Sequence, residues 1–364
     1  MNKKIAFYIA NLNSGGIGRN TLRIADELKN QGYQVDLVVT KLKGVYVEDV
    51  PSDLNVVDLK SRRVLTSIFK LISYLKNEQP NIFISANNLP NIISILSKIL
   101  SKSKVKMIIS IRTHLSSQFN HHNTLKNKII MYLAKLFYPK SDVIVAVSKG
   151  VAEDAVKLIN LDKDKIKVIY NPIVSDDINV KKDKKITETW FDLEKTPVII
   201  SAGRLTKQKD YYTLIDAFKI LRSKRMIKLI ILGEGEEKEK IWNYIKINHL
   251  EDDIKLKGFV NNPYPYIKKS NVFVLSSQWE GFGNVVAESL AVGTPIVSTD
   301  CPSGPAEILD FGNFGKLVPV GNSQKMADSI ESILLSSVNH KKLIQRSKVF
   351  SVANAANEYE KLWI

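Results

Sequence analysis

Val272-Phe273-Val274-Leu275 runs through two serines into Gln278-Trp279-Glu280-Gly281-Phe282-Gly283-Asn284-Val285-Val286-Ala287-Glu288-Ser289-Leu290-Ala291, and this stretch decides the reading of the chain. Four apolar residues in a row make a short buried strand, the paired glycines permit a tight turn, and the segment after them reads as a helix. The backbone N–H groups of Phe282 to Val285 then fall at a helix start, a setting suited to anionic or hydroxyl-rich ligands. Glu280 is placed in the turn and Glu288 on the helix, from which both carboxylates can face one ligand. Spacing alone is equally compatible with a plain glycine turn carrying two solvated glutamates.

Outward from this element, the same alternation recurs. Val198 to Ala202, Leu229 to Leu232, Ile254 to Lys257 and Pro295 to Ser298 read as further buried strands, with amphipathic stretches between them. The earlier half repeats the pattern with Ile5 to Ala10, the helical stretch Arg19 to Asn30, then Gln34 to Val39, Ile82 to Ser85, Lys106 to Ile111, Val143 to Val147 and Val168 to Tyr170. The pattern lapses over Asn171 to Lys195, where Lys181-Lys182-Asp183-Lys184-Lys185 reads as an exposed crossing. The expected organisation is α/β, with two Rossmann-like parallel-sheet domains, 1–172 and 173–350. A terminal helix, 351–364, is expected to dock back toward the first domain. Open parallel sheets bind ligands outside the carboxyl ends of their strands, so a central cleft faced by both sets of loops is the expected site.

Composition narrows the partners. The chain has 364 residues and a formal net charge of +16. Residues 1–175 hold 26 Lys and Arg against 13 Asp and Glu, whereas the remainder holds 27 against 24. The first half is therefore expected to face something anionic, such as a phospholipid surface, a lipid pyrophosphate or nucleic acid. One cysteine, Cys301, excludes an internal disulfide and a thiolate metal cluster, and fits a cytoplasmic location. The apolar run after Lys3-Lys4 is too short for a secretion signal and reads as the first strand. No stretch approaches the roughly 20 apolar residues of a membrane span, so bilayer contact is expected to be peripheral.

Upstream of the deciding stretch, Ser201-Ala202-Gly203-Arg204-Leu205-Thr206-Lys207-Gln208-Lys209-Asp210 follows a strand and puts Arg204 and Lys209 where two cations can meet a diphosphate. With Glu280, seven intervening residues, Glu288 and then Ala291-Val292-Gly293-Thr294-Pro295-Ile296-Val297, the chain resembles retaining glycosyltransferases of family 4, which have the GT-B architecture. The resemblance implies that Glu280 contacts the transferred sugar, that Glu288 holds the nucleotide ribose, and that the backbone of Gly281, Phe282, Gly283, Asn284 and Val285 contacts donor sugar and phosphate. It places Arg204 and Lys209 on the departing nucleotide. Leu232-Gly233-Glu234-Gly235-Glu236 and Lys257-Gly258-Phe259-Val260 fit the family at strand ends, with Phe259 and Val260 bordering the base; a turn with a core aromatic is the simpler account of the latter.

In the first half, Asn13-Ser14-Gly15-Gly16-Ile17-Gly18-Arg19 lies between strand and helix, and lacks the lysine of a phosphate-binding Walker loop and the third glycine of a dinucleotide fingerprint. Its similarity to the family's first glycine loop implicates Gly15 and Gly16 in donor binding. Arg112-Thr113-His114 ends a strand; His114 is the candidate for proton exchange or sugar support, ahead of the loop residues His121 and His122. Thr124 to Lys140 has Leu125, Ile129, Ile130, Leu133, Leu136 and Phe137 at helical spacing among lysines, and reads first as a core-facing helix with a basic outer face, and second as a helix lying on anionic lipid. Asp162-Lys163-Asp164 has the spacing of a metal-binding aspartate pair from another transferase fold, but reads as a solvated turn; no metal and no cofactor are expected beyond the nucleotide-sugar co-substrate.

Asp300-Cys301-Pro302-Ser303-Gly304-Pro305-Ala306-Glu307-Ile308-Leu309 resembles a loop of family-4 enzymes of exopolysaccharide, O-antigen and capsule synthesis. Together the resemblances imply a metal-independent hexosyltransferase. The donor is expected to be a UDP-sugar, with GDP-sugars open, and the acceptor a lipid-linked glycan at the inner membrane face. The rival readings are a nucleotide-sugar epimerase on the same architecture and a nonenzymatic basic protein that binds glycan or nucleic acid, although nothing resembles a nucleic-acid module.

Overall fold

Strands covered by helices on both faces must be apolar along their whole length, and the unbroken Val/Ile/Leu runs of this chain meet that demand. The computed structural model describes residues 3–13, 15–121, 124–194 and 196–363. Met1, Asn2, Ser14 of the first glycine loop, His122, Lys195 at the end of the expected crossing and Ile364 of the tail lie outside the described residues, as does the side chain of His121.

The chain divides into two compact units, Met1–Pro172 with Val352–Ile364, and Ile173–Ser351. In the first unit a seven-stranded parallel sheet runs in the order β3-β2-β1-β4-β5-β6-β7. Its strands are β1 Lys4–Ile9, β2 Gln34–Val39, β3 Asn55–Asp58, β4 Ile82–Ala86, β5 Lys106–Ile111, β6 Val143–Ala146 and β7 Ile166–Val168. Phe7 of β1 pairs with Leu37 on one side and Ile84 on the other, so the order reverses at β1/β4. The last residues complete this unit's core. From the helix Val352–Glu360 and the turn after it, Ala355, Ala356, Tyr359 and Trp363 pack with Leu22, Leu28 and Val35. Tyr33 meets Trp363 edge-on at 6.1 Å, and its hydroxyl donates to Glu360 Oε1.

The second unit holds a six-stranded parallel sheet, β10-β9-β8-β11-β12-β13. Here β8 is Val198–Ala202, β9 Lys228–Leu232, β10 Ile254–Gly258, β11 Val272–Leu275, β12 Ile296–Thr299 and β13 Lys316–Val318. Phe273 lies between Ile200 of β8 and Ile296 of β12, and the order reverses at β8/β11. At such a reversal the connections leave toward opposite faces and open a crevice beyond the strand ends.

Four expectations need correction. β7 begins at Ile166, not Val168, because Ile166, Lys167 and Val168 pair with Ile144, Val145 and Ala146 of β6. The edge strands β3 and β13 were not anticipated. The segment 171–194 is not an exposed crossing throughout: Ile173, Ile178 and Glu188 are buried, and Glu188 accepts from Lys255 Nζ at 2.7 Å and Lys257 Nζ at 2.8 Å. Finally, the helix Leu125–Phe137 turns only part of its apolar stripe inward: Ile130, Leu133 and Phe137 are half-buried as the helix packs on Asn88–Ser101, and the rest faces out. Leu125, Ile129, Tyr132 and Leu136 are 75%, 50%, 66% and 47% exposed, and Ala134 is the buried residue of this helix.

Candidate active site

The loops at the β8/β11 reversal carry Arg204, Lys209 and the stretch from Glu280 to Glu288, and local chemistry binds these loops to one another. After β8 the chain passes Gly203 and Arg204, makes a single 3-10 turn over Lys207–Lys209, and enters the helix Tyr211–Arg222. Asp210 caps that helix, accepting from the Thr213 hydroxyl at 2.8 Å. The loop after β9 presses against this segment: Gly203 N donates to Leu232 O, and a Cβ at Gly233, whose φ is 143°, would sit 1.9 Å from Gly203 O. Only glycine allows that approach.

The β8 and β11 loops are joined in turn. Gln208 O accepts from Gln278 N at 2.8 Å, and its side-chain amide donates to Trp279 O at 2.7 Å. The Ser276 hydroxyl donates to Lys209 O at 2.7 Å. From the β12 side, Thr299 Oγ1 donates to Ser277 O at 2.6 Å and Glu280 N donates to Pro302 O. Gly304 lies against Phe282 with φ 82° and ψ −70°; a Cβ there would stand 2.1 Å from Phe282 O.

Within this frame the half-buried Lys209 and the buried Glu280 form an ion pair, the Lys209 ammonium meeting Glu280 Oε1. Ser277 donates to that same oxygen at 2.7 Å. A cation and a carboxylate in a water-poor setting attract each other more strongly than at the surface. Tyr211 lies beneath them, wholly buried, its phenol pushed up by burial and further by the Glu280 charge, against a lowering hydrogen bond with Ser201. Burial pushes the Cys301 thiol up to about 12, and the Glu280 carboxylate adds to the rise.

Arg204 is exposed, and its side chain has no hydrogen-bond or ion-pair partner among the described residues. Gly281, Phe282 and Gly283 form the turn, Gly283 capping the helix Asn284–Ala291 on which Asn284 and Val285 open the first turn and Glu288 is buried one turn later. Phe259 and Val260 follow β10; Phe259 is 48% exposed, which rules out the core aromatic that the sequence favoured.

In the first unit, Gly15 precedes the helix Gly16–Asn30 with φ 126° and open space around its Cα. His114, after β5, has Nδ1 engaged. Nδ1 accepts from Ser117 N at 3.2 Å and lies 2.9 Å from Ser117 Oγ, while Nε2 stands 3.6 Å from Asp154 Oδ1. Accepting a backbone N–H at Nδ1 places the proton of a neutral ring on Nε2, toward Asp154. Asp162 Oδ1 accepts from Asp164 N at 3.0 Å, so that spacing serves a turn. Among the described residues no group of three or more His, Cys, Asp or Glu could hold a metal ion. The residues that sequence reasoning missed are Gln208, Ser276, Ser277 and Thr299; the first three are signalled only by their nearness to Lys209 and Glu280 along the chain, and Thr299, at the end of β12, by nothing.

Known proteins give the family and the fold. Residues 183–350 match the family model "Glycosyl transferases group 1" and residues 14–177 match "Glycosyltransferase Family 4". The chain is 35% identical to the N-acetylgalactosamine-N,N'-diacetylbacillosaminyl-diphospho-undecaprenol 4-alpha-N-acetylgalactosaminyltransferase of Campylobacter jejuni, over 74% of this chain and 73% of that one. It is 28% identical to the amylovoran biosynthesis glycosyltransferase AmsD of Erwinia amylovora, over 82% of this chain and 80% of that one. Among solved structures, Anabaena HepE in complex with UDP and glucose superposes with a TM-score of 0.81 at 18% identity, over 99% of both chains. The architecture is therefore GT-B, and the chain belongs to glycosyltransferase family 4, the retaining, nucleotide-sugar-dependent transferases.

Proposed function

We propose that this enzyme transfers a hexose or N-acetylhexosamine from a UDP-sugar to a lipid-linked glycan during cell-envelope polysaccharide assembly, working as a peripheral protein at the cytoplasmic face of the membrane. The observation that carries the site reading is the Lys209–Glu280 pair, held over the β8/β11 reversal, with Arg204 exposed in the loop after β8. Arg204 and Lys209 receive the diphosphate and stabilise the charge that grows as the sugar's C1–O bond breaks. Glu280 accepts a hydroxyl of the transferred sugar, Glu288 holds the ribose, and the backbone from Gly281 to Val285 lines donor sugar and phosphate. Phe259 and Val260 border the base, Gly15 and Gly16 admit phosphate close to the backbone, and His114 supports the transferred sugar through Nε2. The incoming hydroxyl attacks C1 from the face the diphosphate leaves and passes its proton to a leaving diphosphate oxygen, which retains configuration.

The lipid acceptor fits the helix Leu125–Phe137. Leu125, Ile129, Tyr132 and Leu136 recur at spacings of four, three and four, which lie on one helical face, with Lys126, Lys128, Lys135 and Lys140 around them. Apolar insertion and attraction to anionic headgroups then act together. No described helix is long and apolar enough to cross a membrane.

A donor screen with UDP- and GDP-sugars and a polyprenyl-diphosphate glycan, followed by mass analysis of the lipid-extracted product, tests the proposal. One added sugar on the lipid fraction, only with a UDP-sugar, is the expected result. Free epimerised nucleotide-sugar without acceptor would instead make the protein an epimerase. Tight, salt-sensitive polynucleotide binding without any turnover would refute the enzymatic reading altogether.

A further inference from the structure

Ser277 is wholly buried at the end of β11, and nothing in the sequence pattern gave it a role. Its hydroxyl donates to Glu280 Oε1 at 2.7 Å, and its carbonyl is held by Thr299 Oγ1 at 2.6 Å, so the donor is anchored from the end of β12. The Lys209 ammonium meets the same Oε1. A carboxylate oxygen offers two lone pairs, which the hydroxyl and the ammonium together occupy. Among the described residues Glu280 Oε2 has no hydrogen-bond partner. The carboxylate is thus bound on one oxygen by the protein and left with one oxygen for a ligand.

The two donors are not equivalent. The terminal torsion of a glutamate is broad, so a single contact leaves the carboxylate plane loosely set. Lys209 reaches Oε1 on a flexible four-carbon stem and, under the proposed function, is also drawn toward the diphosphate. Ser277 is three residues from Glu280 and has no such competitor. We propose that Ser277 is a positioning residue for Glu280, holding Oε1 so that Oε2 keeps its aim at a hydroxyl of the transferred sugar while Lys209 follows the phosphates. This rests on the reading that Glu280 contacts that sugar.

The test compares Ser277→Ala, Glu280→Ala and the double variant in the full chain, measuring kcat, donor KM and the affinity for UDP alone. Losing one hydrogen bond to a charged group predicts a fall in kcat of about tenfold to a hundredfold for Ser277→Ala. UDP, which lacks the sugar, binds within about twofold of wild type in the same variant, and its binding reports that the second unit remains folded. In the Glu280→Ala background the serine substitution has no further effect, because the group it positions is gone. Ser277→Ala with wild-type kcat, a parallel loss of UDP affinity, or multiplicative losses in the double variant would each overturn the positioning role. If Glu280→Ala alone keeps normal turnover, it is the assignment of Glu280 itself that fails.

Discussion

Gly304→Ala should damage the protein through one backbone contact, and the size of the damage can be worked from the structure. Gly304 adopts φ 82° and ψ −70°, a γ-turn conformation that is strained for any residue with a side chain. Its missing Cβ would stand 2.1 Å from Phe282 O and 2.5 Å from Phe282 C, so the carbonyl two residues after Glu280 would have to move. The conformational penalty for an L-residue at positive φ is about 1–2 kcal/mol, and overpacking adds about 1–3 kcal/mol. A loss near 3 kcal/mol lowers Tm by about 6–12 °C for a unit of this size. Gly321 separates the two causes: its φ is 74°, yet nothing lies within 4 Å of its Cβ position. Gly321→Ala should therefore cost about 1 kcal/mol, or about 2–4 °C. Thermal melts of both variants by circular dichroism, with donor turnover alongside, give the comparison. If the two melted within about 2 °C of each other, the argument from the Phe282 contact would be wrong.

Removing the Lys209 ammonium with Lys209→Met leaves Glu280 buried beside Ser277 alone, and kcat should drop by about a hundredfold or more; a variant keeping a tenth of wild-type turnover contradicts the pairing argument. Glu188 gives a pH test. Burial pushes its pKa up, but the hydrogen bonds from Lys255 and Lys257 outweigh burial and hold it below the usual carboxylate value. A depressed folded-state pKa stabilises above the unfolded value and loses that contribution as pH falls through the folded one. The stability difference between wild type and Glu188→Gln in urea melts should therefore be about 1.5–3 kcal/mol at pH 7 and shrink only below about pH 4.5; a gap that does not narrow with acid refutes the assignment. Cys301, buried with its thiol near 12, should resist iodoacetamide at pH 8 in the native protein and react readily in urea, as read by intact-mass analysis. For the helix Leu125–Phe137, the double variant Leu125→Ser, Ile129→Ser should lose flotation with anionic vesicles while keeping turnover on a soluble acceptor; unchanged flotation removes this helix from the membrane proposal.

Legibility in the sequence followed burial. The central strands β5, β8 and β11 appear at the residues expected, because a strand covered on both faces must be apolar throughout. The edge strands Asn55-Val56-Val57-Asp58 and Lys316-Leu317-Val318 carry few apolar residues and exist through pairing with β2 and β12, a tertiary fact with no local signature. At the other extreme, the spacing of Leu125, Ile129 and Leu136 spells an amphipathic helix but not what each apolar residue meets, and the fold leaves these three outward. The site was legible where geometry demands a residue type, as in the Gly281-Phe282-Gly283 turn. It was opaque at Ser277, whose role depends on an oxygen three residues along and on Thr299 arriving from a different strand.

The return of the last residues to the first unit has a consequence for biogenesis. During synthesis the ribosome completes the entire second unit before it releases Ala355, Ala356, Tyr359 and Trp363, which close the core around Leu22 and Leu28. The amino-terminal half must therefore wait, partly open, until residues 352–363 have been made, while the second unit can finish folding first. A stop codon at position 352 would leave the second unit whole and strip the first of its closing layer.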